Sequence, residues 1–236
     1  MDTRYLDIFH VGPPEEKVQE LYRPLLPYLE GCRLVLDVGC GRGTVLQMLA
    51  ERGISAIGCD SEPEMVAECR RRGLDCTETD ALEFLRQTAR PVDGICCGHV
   101  IEHLPTSVAM ELIALCYERL EPGGTLVIVT PNPADLKVIT HYFWTDLTHV
   151  RPYPGVLLEE MLQHVGFSIH ASHDAIMDSL QSKTGIKKLV GSIVKWIAHR
   201  IVGIDVILRG DTVVVGKKPR GPVPPSLAGA GAPTAR

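Results

Sequence analysis

Across residues 34–129, short runs of Val, Ile, Leu and Cys alternate with stretches whose apolar residues recur every three to four positions. Runs apolar on both faces suit strands covered by helices on both sides, so the alternation predicts βαβ units around a parallel sheet. The expected fold class is α/β. Strands are predicted over 34–38, 55–59, 74–79, 92–97 and 125–130, with two later, shorter ones over 167–170 and 212–215. Helices are predicted over 45–51, 63–72 and 106–120, the second with Ser61 as N-cap and Pro63 in its first turn. The third is stopped by Glu121-Pro122-Gly123-Gly124. Val18, Leu21, Leu25 and Leu29 share one helical face, which predicts a helical lid or brace over 15–29.

Two later segments change the picture. Over 174–210, Ile186, Leu189, Val190, Ile193, Val194, Ile197, Ile201 and Ile204 fall at helical spacing, with Lys188, Ser192, Lys195 and His199 on the other side. This predicts a basic amphipathic insertion before the last strand. Residues 186–204 would pack on their own domain, form a homodimer contact, or lie on an anionic membrane. Residues 219–236 are dense in Pro, Gly and Ala, which bury too little apolar surface to offset ordering, and are expected to be a disordered tail. One domain over 1–218 accounts for the rest.

Composition narrows the functions. The chain has 236 residues, 45% hydrophobic and 22% charged, with a net charge of −5. No general basic surface is available for nucleic acid, so no nucleic-acid partner is expected. Eight cysteines occur without the apolar core of a signal peptide at the start, so a reducing, cytoplasmic setting is expected, at the inner membrane face if the insertion binds lipid. Cys40, Cys59, Cys96 and Cys97 lie in or beside strand-like runs and read as core thiols, and no metal is assigned.

The chemistry-bearing residues cluster at strand ends. Val35-Leu36-Asp37-Val38-Gly39-Cys40-Gly41-Arg42-Gly43 places three glycines between a strand and a helix, where the backbone turns tightly and the helix start offers unpaired N–H groups. About twenty residues on, Asp60 ends the second strand, where a carboxylate can accept from both ribose hydroxyls of a nucleoside. The third glycine comes at Gly39-x-Gly41-x-Gly43, not at the spacing of a dinucleotide fingerprint.

VLDVGCGRG, GCDSEPEM, TETDALEF, VDGICCGHVIEHL and LEPGGTLVIVTPN together resemble, in order, the motifs of the class I S-adenosylmethionine-dependent methyltransferases. The resemblance implies a Rossmann-like, seven-stranded, mostly parallel sheet with helices on both faces. It also implies S-adenosylmethionine as cofactor. Asp37, Gly39, Cys40 and Gly41 would face its methionine part, Asp60 and Ser61 its ribose, Asp80 and the Ala81 amide its adenine, and Gly98 with His99 its methyl group. Asp80 is equally readable as the N-cap of a helix beginning at Ala81.

His99-Val100-Ile101-Glu102-His103 is similar to the Glu-x-x-Glu-His of quinone-type O-methyltransferases, which hold a divalent cation there, but His99 replaces the first acid. Asp146-Leu147-Thr148-His149-Val150-Arg151-Pro152-Tyr153 resembles a segment of methyltransferases that accompany bacterial surface-glycan synthesis. Trp144, Asp146, Arg151 and Tyr153 are therefore expected to bind the acceptor. A hydroxyl acceptor needs a base, with His149 as first candidate and His99 as second. The expected activity is O-methylation of a sugar or glycan hydroxyl. The rivals are a small quinone-like, lipid or peptide acceptor, or a cofactor-binding scaffold without turnover.

Overall fold

A computed structural model describes residues 14–175, 200 and 210–221. Its sheet has seven strands, β1 (Val35–Val38), β2 (Ala56–Asp60), β3 (Cys76–Glu78), β4 (Val92–Gly98), β5 (Leu120–Pro131), β6 (Ser168–Ala175) and β7 (Asp211–Lys217). Their order is β3-β2-β1-β4-β5-β7-β6, and only β7 runs against its neighbours. This is the Rossmann-like α/β arrangement expected. Because the chain leaves β1 in one direction and reaches β4 in the other, a crevice opens at the C-terminal ends of these adjacent strands.

Alternation along the central strands divides the core. Leu36 and Val38 of β1, Ile95 and Cys97 of β4, and Leu126 and Ile128 of β5 bury one face with α4 (Ala81–Gln87), α5 (Thr106–Arg119) and α7 (Gly155–Val165). Val35, Cys96, Val127 and Val129 bury the other with α1 (Glu15–Tyr22) and α2 (Thr44–Ala50). A third cluster lies under α3 (Pro63–Arg71) and contains Cys40, Cys69 and Cys76. Eight free cysteines include seven that are buried. In an apolar interior the neutral thiol is favoured, and burial pushes Cys59 and Cys116 up to about 12.

Several boundaries differ from expectation. The brace over 15–29 breaks after Tyr22 and resumes as a 3-10 turn at Leu26–Leu29, since Pro24 and Pro27 supply no amide for a continuous helix. Glu62, not Ser61, occupies the N-cap of α3, and the amide of Glu62 donates to Asp60 Oδ1. Strand β3 starts two residues later than expected because the Leu74 amide completes a turn with Cys69 O. Strand β5 reaches back through the Glu121–Gly124 turn, accommodated by a register shift between Val92 and Gly94. Helix α7 and the one-turn α6 (Phe143–Thr145), preceded by a π turn at Val138–Tyr142, were not anticipated.

The two late strands pair as an antiparallel hairpin, with Ser168 opposite Lys217 and Ala175 opposite Asp211. Almost all of the predicted insertion, including the basic amphipathic stretch, and most of the tail lie outside the described residues. Among the described residues no helix is long and apolar enough to cross a membrane.

Candidate active site

The glycine loop after β1 forms because Gly39, Gly41 and Gly43 all take positive φ, at 71°, 54° and 80°. At Gly39 a side chain is also excluded by contact, since a Cβ would lie 2.3 Å from Val100 Cγ2. The loop is pinned from β2. The Gly41 amide donates to Asp60 Oδ2 at 2.8 Å, and the Cys40 amide to Cys59 O at 2.9 Å.

Two cavities open at this end of the sheet. The larger, about 720 Å³, is lined by Asp60, Ser61, Thr79, Asp80, Ala81 and Leu147, among others. The second, about 380 Å³, is lined by Tyr22, Asp37, Cys40, Gly41, Gly98 and His149, among others. Gly39, His99, His103 and Asp146 border both. Every cofactor residue expected from sequence therefore lies at one or the other. Asp80 also serves as N-cap of α4, its Oδ1 accepting from the amides of Leu82 and Glu83, both at 3.0 Å. The two readings of that residue are compatible.

Asp37 is the polar anomaly of the site. It is 3% exposed, and its Oδ2 has no hydrogen-bond partner among the described residues. Burial, with the negative neighbourhood of Cys69 and Asp60, pushes its carboxyl up to about 7. A buried carboxylate oxygen without a donor is costly, and a cationic amino group in the adjoining cavity would relieve it. The cofactor implied by the resemblance carries such a group, so the residues present fit it.

Gly98 closes the end of β4 against the brace. A Cβ there would lie 1.6 Å from Tyr22 Oη, so only glycine lets α1 approach. Tyr22 is itself buried and borders the second cavity, and it was not expected at the site.

Beyond β4, His99 adopts φ 55°, unusual for a residue with a side chain, and its amide donates to Val129 O at 2.8 Å. Its Nδ1 lies 3.2 Å from Glu102 Oε1, and its Nε2 lies 3.9 Å from Asp211 Oδ1. Burial disfavours the imidazolium, but the bond to Glu102 and the charge of Asp211 outweigh it and push His99 up to about 9. Burial likewise opposes the Glu102 carboxylate, and His99 holds it below the ordinary value. Asp211, at the start of β7, is raised by burial despite His99. Its place in this group follows from the β5–β7 pairing and has no local sequence signal. An imidazolium held between two acids carries no lone pair, so this environment disfavours His99 as a base at neutral pH.

The segment after α6 supplies a second imidazole group. His149 Nδ1 lies 2.7 Å from Phe143 O, and a carbonyl only accepts, so Nδ1 carries the proton and Nε2 keeps its lone pair. The ring is packed between Phe143 and His103, with centroids 4.5 and 4.8 Å away. The Thr148 hydroxyl donates to Asp146 Oδ1 at 2.6 Å and accepts from His103 Nδ1 at 2.8 Å, so His103 too presents Nε2. Burial raises Asp146, but the hydroxyl and amide of Thr148 hold it below the ordinary carboxylate range.

Glu102, His103 and His149 bring one ligand atom each within 4.8 Å of one another, a donor set suited to a divalent cation. Both Glu102 oxygens already have partners, His99 and Thr130 Oγ1.

The expected acceptor residues divide. Asp146 borders both cavities. Tyr153 is a correction: it is fully buried in the core, with its hydroxyl donating to Leu104 O at 2.8 Å. Arg151 is another, since its guanidinium bonds the Thr106 hydroxyl and lies over the Tyr153 ring, 4.9 Å from its centroid. Arg151 and Tyr153 fasten this loop to the start of α5 and the residues just before it, and neither lines the two cavities. Trp144 is 63% exposed with its indole N–H on Ile139 O, and Tyr142, Leu147 and Val150 of the same segment are exposed as well.

The fold has known counterparts. A methyltransferase from Archaeoglobus fulgidus, described as S-adenosylmethionine-dependent, superposes with a TM-score of 0.73 at 28% identity, covering 92% of this chain and all of that one. An N-methyltransferase from Bradyrhizobium japonicum, solved with S-adenosyl-L-homocysteine, shares the fold at 17% identity and a TM-score of 0.59, covering 89% of this chain and 90% of that one. A ubiquinone biosynthesis O-methyltransferase of Xylella fastidiosa is 36% identical over 110 residues, 44% of each protein, so this chain matches under half the length of that relative. The family described as methyltransferase domain matches residues 14–172, most of the chain. With the glycine loop, its carboxylate partner and the crevice between β1 and β4, this match makes the chain a member of that family, a class I S-adenosylmethionine-dependent methyltransferase.

Proposed function

We propose that the protein methylates a hydroxyl on an aromatic, quinone-like acceptor, with His149 as the base. The observation that carries this reading is the meeting of the two cavities at Gly39, His99, His103 and Asp146, beside a His149 whose Nε2 is free to accept a proton. When bound, S-adenosylmethionine supplies an electrophilic methyl group on a positive sulfur. The chain does the rest. Asp37 pairs with the amino group of the cofactor, Asp60 and Ser61 accept from and border its ribose, and Asp80 with the Ala81 amide holds the adenine edge. Gly39 and Gly98 let Val100 and Tyr22 pack against the backbone that would border the methyl-bearing end. His149 takes the acceptor proton at Nε2, and the imidazolium so formed is stabilised by the Asp146 carboxylate, whose Oδ2 lies 3.8 Å from Nε2.

Two observations favour an aromatic acceptor. Leu147 is exposed and lines the larger cavity together with Leu82, Val100, Leu104 and Val108, an apolar lining that suits an apolar ring or tail. A phenolic hydroxyl titrates near 10, so an imidazole can deprotonate it far more readily than an aliphatic alcohol. The 36% identical relatives named for ubiquinone biosynthesis support the same class. A sugar hydroxyl is the second reading, favoured by the Asp146, Thr148 and His103 network, which offers polar contacts of the kind a saccharide needs. A cytoplasmic setting accompanies both, and residues 186–204 would bring the enzyme to acceptors held in a membrane.

Labelled S-adenosylmethionine offered with catechol-type phenols, isoprenoid quinol precursors and saccharide fractions separates the readings. Label in the phenolic fraction supports the proposal. Label only in saccharides replaces it with the second reading, and no turnover with any hydroxyl acceptor removes O-methylation.

A further inference from the structure

Cys40 in the glycine loop, Cys69 near the end of α3 and Cys76 at the start of β3 are separated by 29 and 7 residues, yet the fold brings their sulfurs together. Cys40 Sγ lies 3.3 Å from Cys76 Sγ and 4.0 Å from Cys69 Sγ, and all three sulfurs lie within 4.8 Å of one another. Zn–S bonds of about 2.3 Å at tetrahedral angles set sulfurs about 3.8 Å apart, in the middle of this range. The Gly41 carbonyl oxygen is 3.2 Å from Cys69 Sγ and 3.9 Å from Cys40 Sγ, so an oxygen donor borders the same volume. Among the described residues no other cysteines form such a group.

We propose that Cys40, Cys69 and Cys76 form a binding site for a thiophilic divalent cation, Zn²⁺, behind the glycine loop. Each thiol that ligates releases its proton to solvent as its sulfur bonds the ion, with no change of oxidation state. Three thiolates around Zn²⁺ leave one net negative charge, whereas a monovalent Cu⁺ would leave two in a buried setting, so the divalent ion is the better match. Cys40 lines the second cavity and gives the ion a route in. The ion would tie the loop after β1 to α3 and β3, directly behind the Gly41 amide that bonds Asp60.

The site lies apart from Glu102, His103 and His149, and the test keeps the two distinct. The full chain is reduced, stripped with a chelator and titrated with Zn²⁺, and with Co²⁺ as a coloured substitute. One equivalent of Zn²⁺ should bind, and Co²⁺ should give sulfur-to-metal charge-transfer absorption. Cys69→Ala and Cys76→Ala, checked for folding by circular dichroism, should weaken Zn²⁺ binding by roughly tenfold or more. Cys116→Ser and His103→Ala should leave it intact. Alkylation followed by peptide mass analysis covers the case of unfolded variants, since Zn²⁺ should protect Cys40, Cys69 and Cys76 together in the unmutated chain. Absent charge transfer, unprotected thiols, or Zn²⁺ binding lost only in His103→Ala overturns the proposal, because three close thiols would then be core packing alone.

Discussion

The Gly41 amide donates to Asp60 Oδ2 at 2.8 Å, so the carboxylate that ends β2 fastens the loop that ends β1. The other oxygen of Asp60 accepts from the Glu62 amide and sets the start of α3. One side chain therefore shapes the cofactor loop before any cofactor arrives.

Removing that carboxylate takes away both the proposed ribose contacts and the loop anchor. Asp60→Ala should weaken S-adenosylmethionine binding by about 1.5 to 3 kcal/mol, while Asp60→Asn, which keeps one acceptor oxygen, should lose less. Isothermal calorimetry on folded variants measures both. Equal losses would mean that charge alone matters, and no loss in Asp60→Ala would dismiss the ribose role.

Asp37 makes the same site sensitive to pH. Its carboxyl is raised from 3.8 to about 7, so the native chain holds a proton that the unfolded chain releases, and stability falls as pH rises from about 4 to about 7. Pairing with the cofactor's amino group requires the ionised form. Cofactor affinity should therefore rise between pH 6 and 8, and this rise should vanish in Asp37→Asn. That variant should also melt higher than the native protein at pH 8 when no cofactor is present. A native affinity flat across the range would show that Asp37 does not meet the amino group.

The legible parts of this molecule were those written in local pattern. Continuous apolar runs alternating with helix-periodic stretches marked the strands of the sheet, and the glycine spacing with Asp37 and Asp60 marked the cofactor end. What escaped was brought together by topology. Asp211 reaches His99 through the β5–β7 pairing, and Tyr22 meets Gly98 because the end of α1 packs on one face of the sheet. Arg151 and Tyr153 misled because polar and aromatic residues in a loop read alike whether they face a ligand or anchor the loop to its domain. Helix α7 lacks the usual polar start signal, because Pro154 occupies its N-cap and no side chain caps its first turn.

Gly98 and Tyr22 give a packing test of the brace. Gly98→Ala should destabilise the fold by about 1 to 3 kcal/mol, because the added methyl would fall 1.6 Å from Tyr22 Oη and the buried ring has little room to move. Combining it with Tyr22→Phe removes the closest atom and should recover part of the loss. Denaturant melts of both variants decide it, and a neutral Gly98→Ala would show that α1 yields freely.

The two imidazoles should separate in their response to mutation. His149→Ala should lower turnover by roughly 10² to 10⁴-fold with cofactor affinity nearly unchanged, since only a group that accepts the acceptor proton is lost. If the cluster of Glu102, His103 and His149 acts instead by holding a divalent cation, His103→Ala should be equally damaging and a chelator should abolish activity in the native enzyme. Full activity in His149→Ala would return that residue to packing against Phe143.

His99 and Glu102 should show themselves in stability as a function of pH. The imidazole is raised from 6.5 to about 9, so its contribution is complete below about 6.5 and is lost as pH climbs through about 9. Glu102 is lowered from 4.5, so its contribution holds above about 4.5 and is lost as pH falls through its lower folded value. The pair therefore favours the fold most between about 4.5 and 6.5. Because the His99 side chain is 39% exposed, solvent screens part of this effect and its size stays modest. Melting temperatures recorded from pH 6 to 10 should decline more steeply in the native protein than in His99→Gln, which keeps a hydrogen-bond donor but cannot titrate. Asp211→Asn should move the decline to lower pH by removing one of the two charges that hold the proton on His99. If native protein and His99→Gln lose stability in parallel, the imidazole is already neutral at pH 7, and His99 again becomes available as a base.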